Sequence, residues 1–286
     1  MSYNGFSSYP DDAYDGMDAI IAGMVANSVK TLRIPFNPID VAGSRPYVKG
    51  YVDYFLAETP ADWLIIVDGN HYYETVPNDA NVITRCLDIC DSWAADRTLV
   101  ELVNEPPWGW PFYSKCQTYI DAIRDAGYSH RIVTNKFSPY FDQPLSDFYE
   151  PWDVFDDPLD KTWQGIHIYL SQYPPEPGGG TGGYSYQDLL LAALEVTEKL
   201  IITEAGAESD EIPFSQEHVD ETNDYLAWCG ARNIYNNIWL RIDDVNLVGV
   251  NGYDDLGGLT FPEPPDEGSY PSTVSLGTLR PWGHNE

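Results

Sequence analysis

Hydrophobic positions along the chain alternate between two patterns. Short, near-continuous apolar runs recur about every thirty residues, at Thr31–Phe36, Trp63–Val67, Thr98–Val103, Arg131–Thr134, Gly165–Tyr169, Leu200–Thr203 and Ile234–Ile242. Runs of this length without polar alternation predict parallel strands covered on both faces. Between them the apolar residues take helical spacing. Ile20, Ile21, Met24 and Val25 share a face over Asp15–Val29, and Tyr47, Tyr51, Phe55 and Leu56 do so over Tyr47–Ala57. Val82, Cys86, Ile89, Cys90 and Trp93 line a third helix over Asn81–Ala94, and Ser114–Ala126, Tyr186–Thr197 and Ser215–Ala231 are further helices. Strands alternating with helices make a parallel α/β sheet. Seven runs, with an eighth strand assigned to Tyr3–Ser8, predict one (β/α)8 TIM barrel over 1–286 rather than a doubly wound sheet.

Two stretches interrupt the rhythm. Lys136–Trp163 is rich in Asp, Pro and aromatic residues, and Tyr173–Tyr184 contains Pro-Pro-Glu-Pro-Gly-Gly-Gly-Thr-Gly-Gly. The strand rhythm resumes after each, so neither reads as a domain linker. The glycine run lacks a following Gly-Lys-Ser/Thr and is no phosphate-binding loop. It reads as a mobile loop or as a flap over a cleft. The tail after Asn246 has little periodicity and reads as a wrap around the barrel or a cap on its ends.

Composition narrows the function classes. The chain carries 15 basic and 45 acidic residues, a formal charge of −30, which repels phosphate backbones and argues against nucleic acid as a partner. A neutral polysaccharide meets no such repulsion. An acidic surface poor in lysine also resembles proteins of high-salt habitats, where salt screens self-repulsion. The 9 Trp and 21 Tyr suit a sugar cleft, where pyranose faces pack on rings, although a barrel core also consumes aromatics. No stretch approaches the roughly 20 apolar residues of a membrane span. Met1–Asp12 lacks the basic and apolar regions of a signal peptide, so localisation is open, with an extracellular site suggested only by function. Cys86 and Cys90 share a helix face and read as small buried hydrophobes, with a bridge to Cys116 as the alternative. The five His show no zinc-type spacing, so neither a metal nor a cofactor is expected.

In a barrel of this kind the working residues sit at the C-terminal ends of the strands. Those ends read Arg33-Ile34-Pro35, Asp68-Gly69-Asn70-His71, Asn104-Glu105-Pro106, His167-Ile168-Tyr169, Glu204-Ala205-Gly206 and Trp239-Leu240-Arg241. Their order resembles that of clan A glycoside hydrolases, most closely family 5, which includes cellulases and mannanases. The family pattern has Arg-Ile-Pro on the second strand, Asn-Glu-Pro on the fourth, His-x-Tyr on the sixth and Glu-x-Gly on the seventh. Each tripeptide is weak alone; four in order, spaced by βα units from Arg33 to Trp239, are specific.

The resemblance implies Glu105 as acid/base and Glu204 as nucleophile of a retaining reaction, with carboxyls roughly 5–5.5 Å apart. It implies that Asn104 holds the sugar 2-hydroxyl, that Tyr169 donates to Glu204, and that His167 and His71 line the subsite at the cleaved bond. Trp239 would floor that subsite. The nucleophile has to stay ionised, and a nearby cation such as Arg33 would favour that. The extra residue between Asp68 and His71 places His71 in register only if the loop accommodates it. Trp108 and Trp110, on a loop after Glu105, are candidates for stacking a sugar on the leaving side. The reading is an endo-β-1,4-glycanase acting as a monomer, glucan ahead of mannan on the commonness of glucanases. An exo-glycosidase uses the same glutamates; a non-catalytic carbohydrate-binding barrel keeps the aromatics without needing both carboxylates.

Overall fold

The computed structural model describes residues 30–34, 45–69, 78–104, 106, 110–136, 153–169, 185–206, 224–232, 234–240 and 273–276, together with 18, 21, 22, 24 and 25. Eight parallel strands form the wall: β1 (Thr31–Ile34), β2 (Leu64–Asp68), β3 (Thr98–Glu101), β4 (Arg131–Lys136), β5 (Thr162–Tyr169), β6 (Leu200–Gly206), β7 (Tyr235–Leu240) and β8 (Thr273–Leu276). Each pairs with the next in chain order, and β8 pairs back onto β1, closing the barrel. Four helices are described in full: α1 (Arg45–Glu58), α2 (Asp79–Ser92), α3 (Phe112–Asp125) and α4 (Tyr186–Leu194). Residues 224–230 are also helical.

The helix starts follow from their caps. Asn78 accepts a bond from the Asn81 amide at the start of α2. Ser185 and Asp188 exchange bonds in a capping box at the start of α4. These bonds satisfy amide donors that a helix end otherwise leaves open.

The strands are apolar on both faces because both faces are covered. Leu32, Ile34, Ile65, Val67, Val100, Ile132, Ile166, Ile168, Leu200 and Ile202 belong to the large core that also takes in the apolar sides of the helices. Leu64, Ile66, Leu99, Val133 and Ile201, with Trp163 against them, form a second, smaller cluster from the alternate positions. That cluster fills the barrel interior toward the strand starts. Further along the same inner face the residues become polar: Arg33, Asp68, Glu101, Asn135, His167 and Thr203, all buried.

The eighth strand differs from expectation. Tyr3–Ser8 lies outside the described residues, and the place between β1 and β7 is taken by Thr273–Leu276 from the C-terminal tail. Four residues, Thr-Val-Ser-Leu, are too short to stand out as an apolar run. The Arg33 strand is therefore first in the barrel, and the motif-bearing strands are β1, β3, β5 and β6, with their relative spacing unchanged.

The cysteines also settle as packing residues. Cys86, Cys90, Cys116 and Cys229 are buried thiols outside any disulfide, so the bridge to Cys116 does not form. Burial pushes the Cys90 thiol up to about 12 and raises Cys86 as well, which keeps both protonated and unreactive. Cys86 touches the close approach of β2 to β3. A Cβ on Gly69 would stand 2.8 Å from its sulfur and 3.1 Å from the Glu101 carbonyl, so only glycine fits there.

A turn ahead of β5 is anchored by Asp157. Its carboxylate accepts from Arg124 Nε and Nη2 at 2.8 and 2.9 Å, from the Leu159 and Lys161 amides, and from Thr162 Oγ1. Burial alone raises such a carboxyl, but Arg124 and these donors outweigh it and hold Asp157 well below the usual range. A lowered native pKa gives stability that is complete above the unfolded value of about 3.9 and lost as pH falls below it toward the native value. Asp157→Asn is therefore expected to cost about 2 kcal/mol at neutral pH, with the gap to wild type closing below about pH 3, measured by denaturant unfolding across pH.

Candidate active site

Three of the expected site residues, Arg33, Asn104 and His167, lie buried toward the C-terminal mouth of the barrel. Arg33, from β1, is fully buried and grips Glu101 of β3 with two prongs, Nε to Oε2 at 2.5 Å and Nη2 to Oε1 at 2.6 Å. Both side chains have no exposed surface. Arg33 Nη2 also donates to Asn104 Oδ1 at 2.6 Å. With its Oδ1 taken, Asn104 has its Nδ2 donor left to offer. The guanidinium thus fixes which way round the Asn104 amide sits.

Glu101 carries the chain of bonds onward. Asn135 of β4 donates through Nδ2 to Glu101 Oε1, and its Oδ1 accepts from Thr203 Oγ1 of β6. The Ile166 carbonyl, 3.5 Å from Thr203 Oγ1, is the alternative acceptor. Gly165 faces Asn135 in register, and a Cβ there would collide with the Asn135 amide and the Thr134 carbonyl. Glycine on β5 is what lets the amide of Asn135 lie across the inner face. Burial pushes the Glu101 carboxyl up, against the pull of Arg33; Asp68 adds to the rise and His167 opposes it. A charge this deep is held only by the donors around it.

The strand carrying Glu204 has a bulge at this height. Ile166 pairs with Ile202, but His167 pairs with Glu204, so one extra residue of β6 is accommodated between them. The pairing of β6 with β7 shifts over the same stretch, from Ile202↔Asn236 to Ala205↔Ile238. Bulges of this kind re-aim residues at barrel rims and beside active sites. Here the shift leaves Thr203 bonded to Asn135 while Glu204 takes the register position beside His167.

Of the residues expected from sequence, Arg33, Asn104 and His167 are brought together, and all three are buried. The backbones of Tyr169, Glu204 and Trp239 lie at or near the ends of β5, β6 and β7; their side chains lie outside what the structure describes. Glu105, His71 and Trp108 lie outside the described residues. Trp110 departs from expectation. It is 8% exposed and sits in the hydrophobic core, its ring centroid 6.4 Å from Phe112 and 6.2 Å from Tyr119. It packs ahead of α3 because that helix needs an apolar lid, which leaves no open face for a sugar. Sequence reasoning passed over Glu101, Asn135 and Thr203. Glu101 had a signal, a charge inside the apolar run Thr-Leu-Val-Glu-Leu-Val. No group of His, Cys, Asp and Glu that could hold a metal occurs among the described residues.

No family model and no curated protein sequence matches the chain. Solved structures do. A thermostable, halotolerant GH5 cellulase from an Icelandic hot spring isolate aligns at 18% identity and a TM-score of 0.56, covering 81% of this chain and 73% of that one. An endoglucanase of Pseudomonas stutzeri aligns at 13% identity and a TM-score of 0.57, covering 89% and 86%. The catalytic domain of a mannanase from Streptomyces sp. SirexAA-E aligns at 16% identity and a TM-score of 0.56, covering 83% and 74%. The chain shares the barrel fold of these cellulases and mannanases.

Proposed function

We propose that this chain is a retaining β-glycosidase of the GH5 type, acting within β-1,4-linked glucan chains. The observation that carries the reading is the buried bond chain at the mouth of the barrel. It ends at Asn104 on one side and Thr203 on the other, the residues immediately before Glu105 and Glu204. Polar groups are expensive inside a barrel, and here they run from Asn104 to Thr203, each next in sequence to one of the two glutamates.

In this reading Glu204 attacks the anomeric carbon while Glu105 protonates the departing oxygen, giving a glycosyl ester. Glu105 then takes a proton from water, which hydrolyses the ester with overall retention. The Asn104 Nδ2 donor holds the sugar 2-hydroxyl, an interaction that strengthens as the oxocarbenium-like transition state forms. Tyr169 steadies Glu204 through its hydroxyl, His167 and His71 line the subsite, and Trp239 and Trp108 offer ring faces to sugars. The enzyme needs no cofactor in this scheme. A charge of −30 suits a neutral glycan and activity in salt. Mannan is the second reading, favoured by the mannanases among the structural neighbours.

The test is an activity panel of β-glucans, mannans and xylans at low and high salt, followed by proton NMR of the first product formed. The expected result is cleavage of a β-1,4-glucan with the β-anomer appearing first. Initial appearance of the α-anomer overturns the retaining mechanism, and a folded protein inert on the whole panel overturns the reading.

A further inference from the structure

Two catalytic carboxyls on different strands must keep a set separation, and a misplacement of about 1 Å can cost on the order of 100-fold in rate. Glu105 follows β3 and Glu204 lies on β6, with β4 and β5 between them in the wall. Backbone pairing alone passes through three strand interfaces and through the irregular register at Ile166/His167. A direct tie across the interior bypasses that slack.

We propose that the chain Asn104–Arg33–Glu101–Asn135–Thr203 is such a tie, and that Asn135 and Thr203 are positioning residues that set where Glu204 stands relative to Glu105. The proposal rests on the reading of the two glutamates given above. Every link is buried, and the donors and acceptors run consistently from end to end. Thr203 donates to Asn135, Asn135 donates to Glu101, and Arg33 donates to both Glu101 and Asn104. No link can reverse without breaking the next, because the carboxylate only accepts and the guanidinium only donates. The terminal links are each one residue from a catalytic glutamate. The bulge in β6 falls at Thr203, so the extra residue is the one the tie anchors.

A purely stabilising role does not require these residue types. One layer below, the same interior is filled by Leu64, Ile66, Leu99, Val133 and Ile201. Well-packed apolar residues usually stabilise as well as a buried polar network or better. Toward the strand ends the described inner-face residues are instead Arg33, Asp68, Glu101, Asn135, His167 and Thr203, and Gly165 leaves the room that the Asn135 amide takes.

The experiment compares Thr203→Val, Thr203→Ser and wild type on the glycan cleaved best in the panel and on an aryl β-glycoside of the same sugar. Valine keeps the branched shape and removes only the hydroxyl. The expected result is a kcat lower by about 10- to 100-fold for Thr203→Val on both substrates, with KM changed less than about threefold. Thr203→Ser should return kcat to within about threefold of wild type. Should Thr203→Val not fold, Thr203→Ser against Thr203→Ala carries the same comparison, since both lose the methyl group and only serine keeps the hydroxyl. Equal kcat in the variants with and without the hydroxyl, in an active enzyme, overturns the tie alone. A folded wild type inert on all β-glycans removes the glycosidase reading and the tie with it.

Discussion

Glu204→Gln is expected to lower kcat by on the order of 1000-fold or more while leaving the fold intact, and Glu105→Gln is expected to lose activity in a substrate-dependent way. An amide at position 204 cannot form the glycosyl ester, so no choice of substrate rescues it. An amide at position 105 removes only proton transfer. With a sugar or alkyl leaving group the loss should be about 100- to 10,000-fold. With a dinitrophenyl leaving group, which departs without protonation, formation of the ester should stay near the wild-type rate. Ester hydrolysis should then limit turnover, because water still needs a base. A pre-steady-state burst of dinitrophenol from Glu105→Gln, and none from Glu204→Gln, separates the two roles. A burst from Glu204→Gln would reverse the assignment.

The second large effect concerns stability. Glu101→Leu should destabilise the barrel by about 3–5 kcal/mol, because it strands the Arg33 guanidinium without its counter-charge in the interior. Arg33→Met should cost a similar amount for the converse reason. The double variant Arg33→Met/Glu101→Leu should recover much of that loss, since an apolar pair of similar volume avoids the desolvation penalty of both charges. It should not recover activity, because Asn104 and Asn135 then lose the partners that orient their amides. Denaturant unfolding gives the stability side of this cycle, and kcat gives the other. A double variant as unstable as either single one would mean that the ion pair is worth more than its desolvation costs. A double variant with wild-type kcat would remove the pair from the catalytic account.

The wall of the barrel was legible because parallel strands buried on both faces read as unbroken apolar runs. Leu64–Asp68 and Arg131–Lys136 fall within a residue or two of the runs that predict them. Strand β8 was not legible, since Thr273–Leu276 is four residues of mixed character in a tail with no rhythm. Arg33, Asn104 and His167 were legible as motif positions at strand ends. Their connection was not, because it runs through residues far apart in sequence; Thr203 and Asn135 bond across 68 positions. The β6 bulge is likewise invisible in Leu-Ile-Ile-Thr-Glu-Ala-Gly, because register is a property of the neighbouring strands as much as of the run itself. Trp110 misled in the opposite direction. A Trp-Gly-Trp loop suggests an exposed platform, and only the packing of Phe112 and Tyr119 reveals that its second tryptophan is core.

The proposed covalent intermediate on Glu204 is tested most directly by trapping it. A 2-deoxy-2-fluoro-β-glycosyl fluoride of the preferred sugar slows both steps, because fluorine at C2 opposes positive charge at the anomeric centre. The fluoride leaving group keeps formation of the ester faster than its hydrolysis, so the ester accumulates. Mass spectrometry of the active wild-type protein should show one added fluoroglycosyl unit, and peptide mapping should place it on Glu204. A label on any other residue, or time-dependent turnover of the reagent with no adduct and an inverted product, would contradict the account.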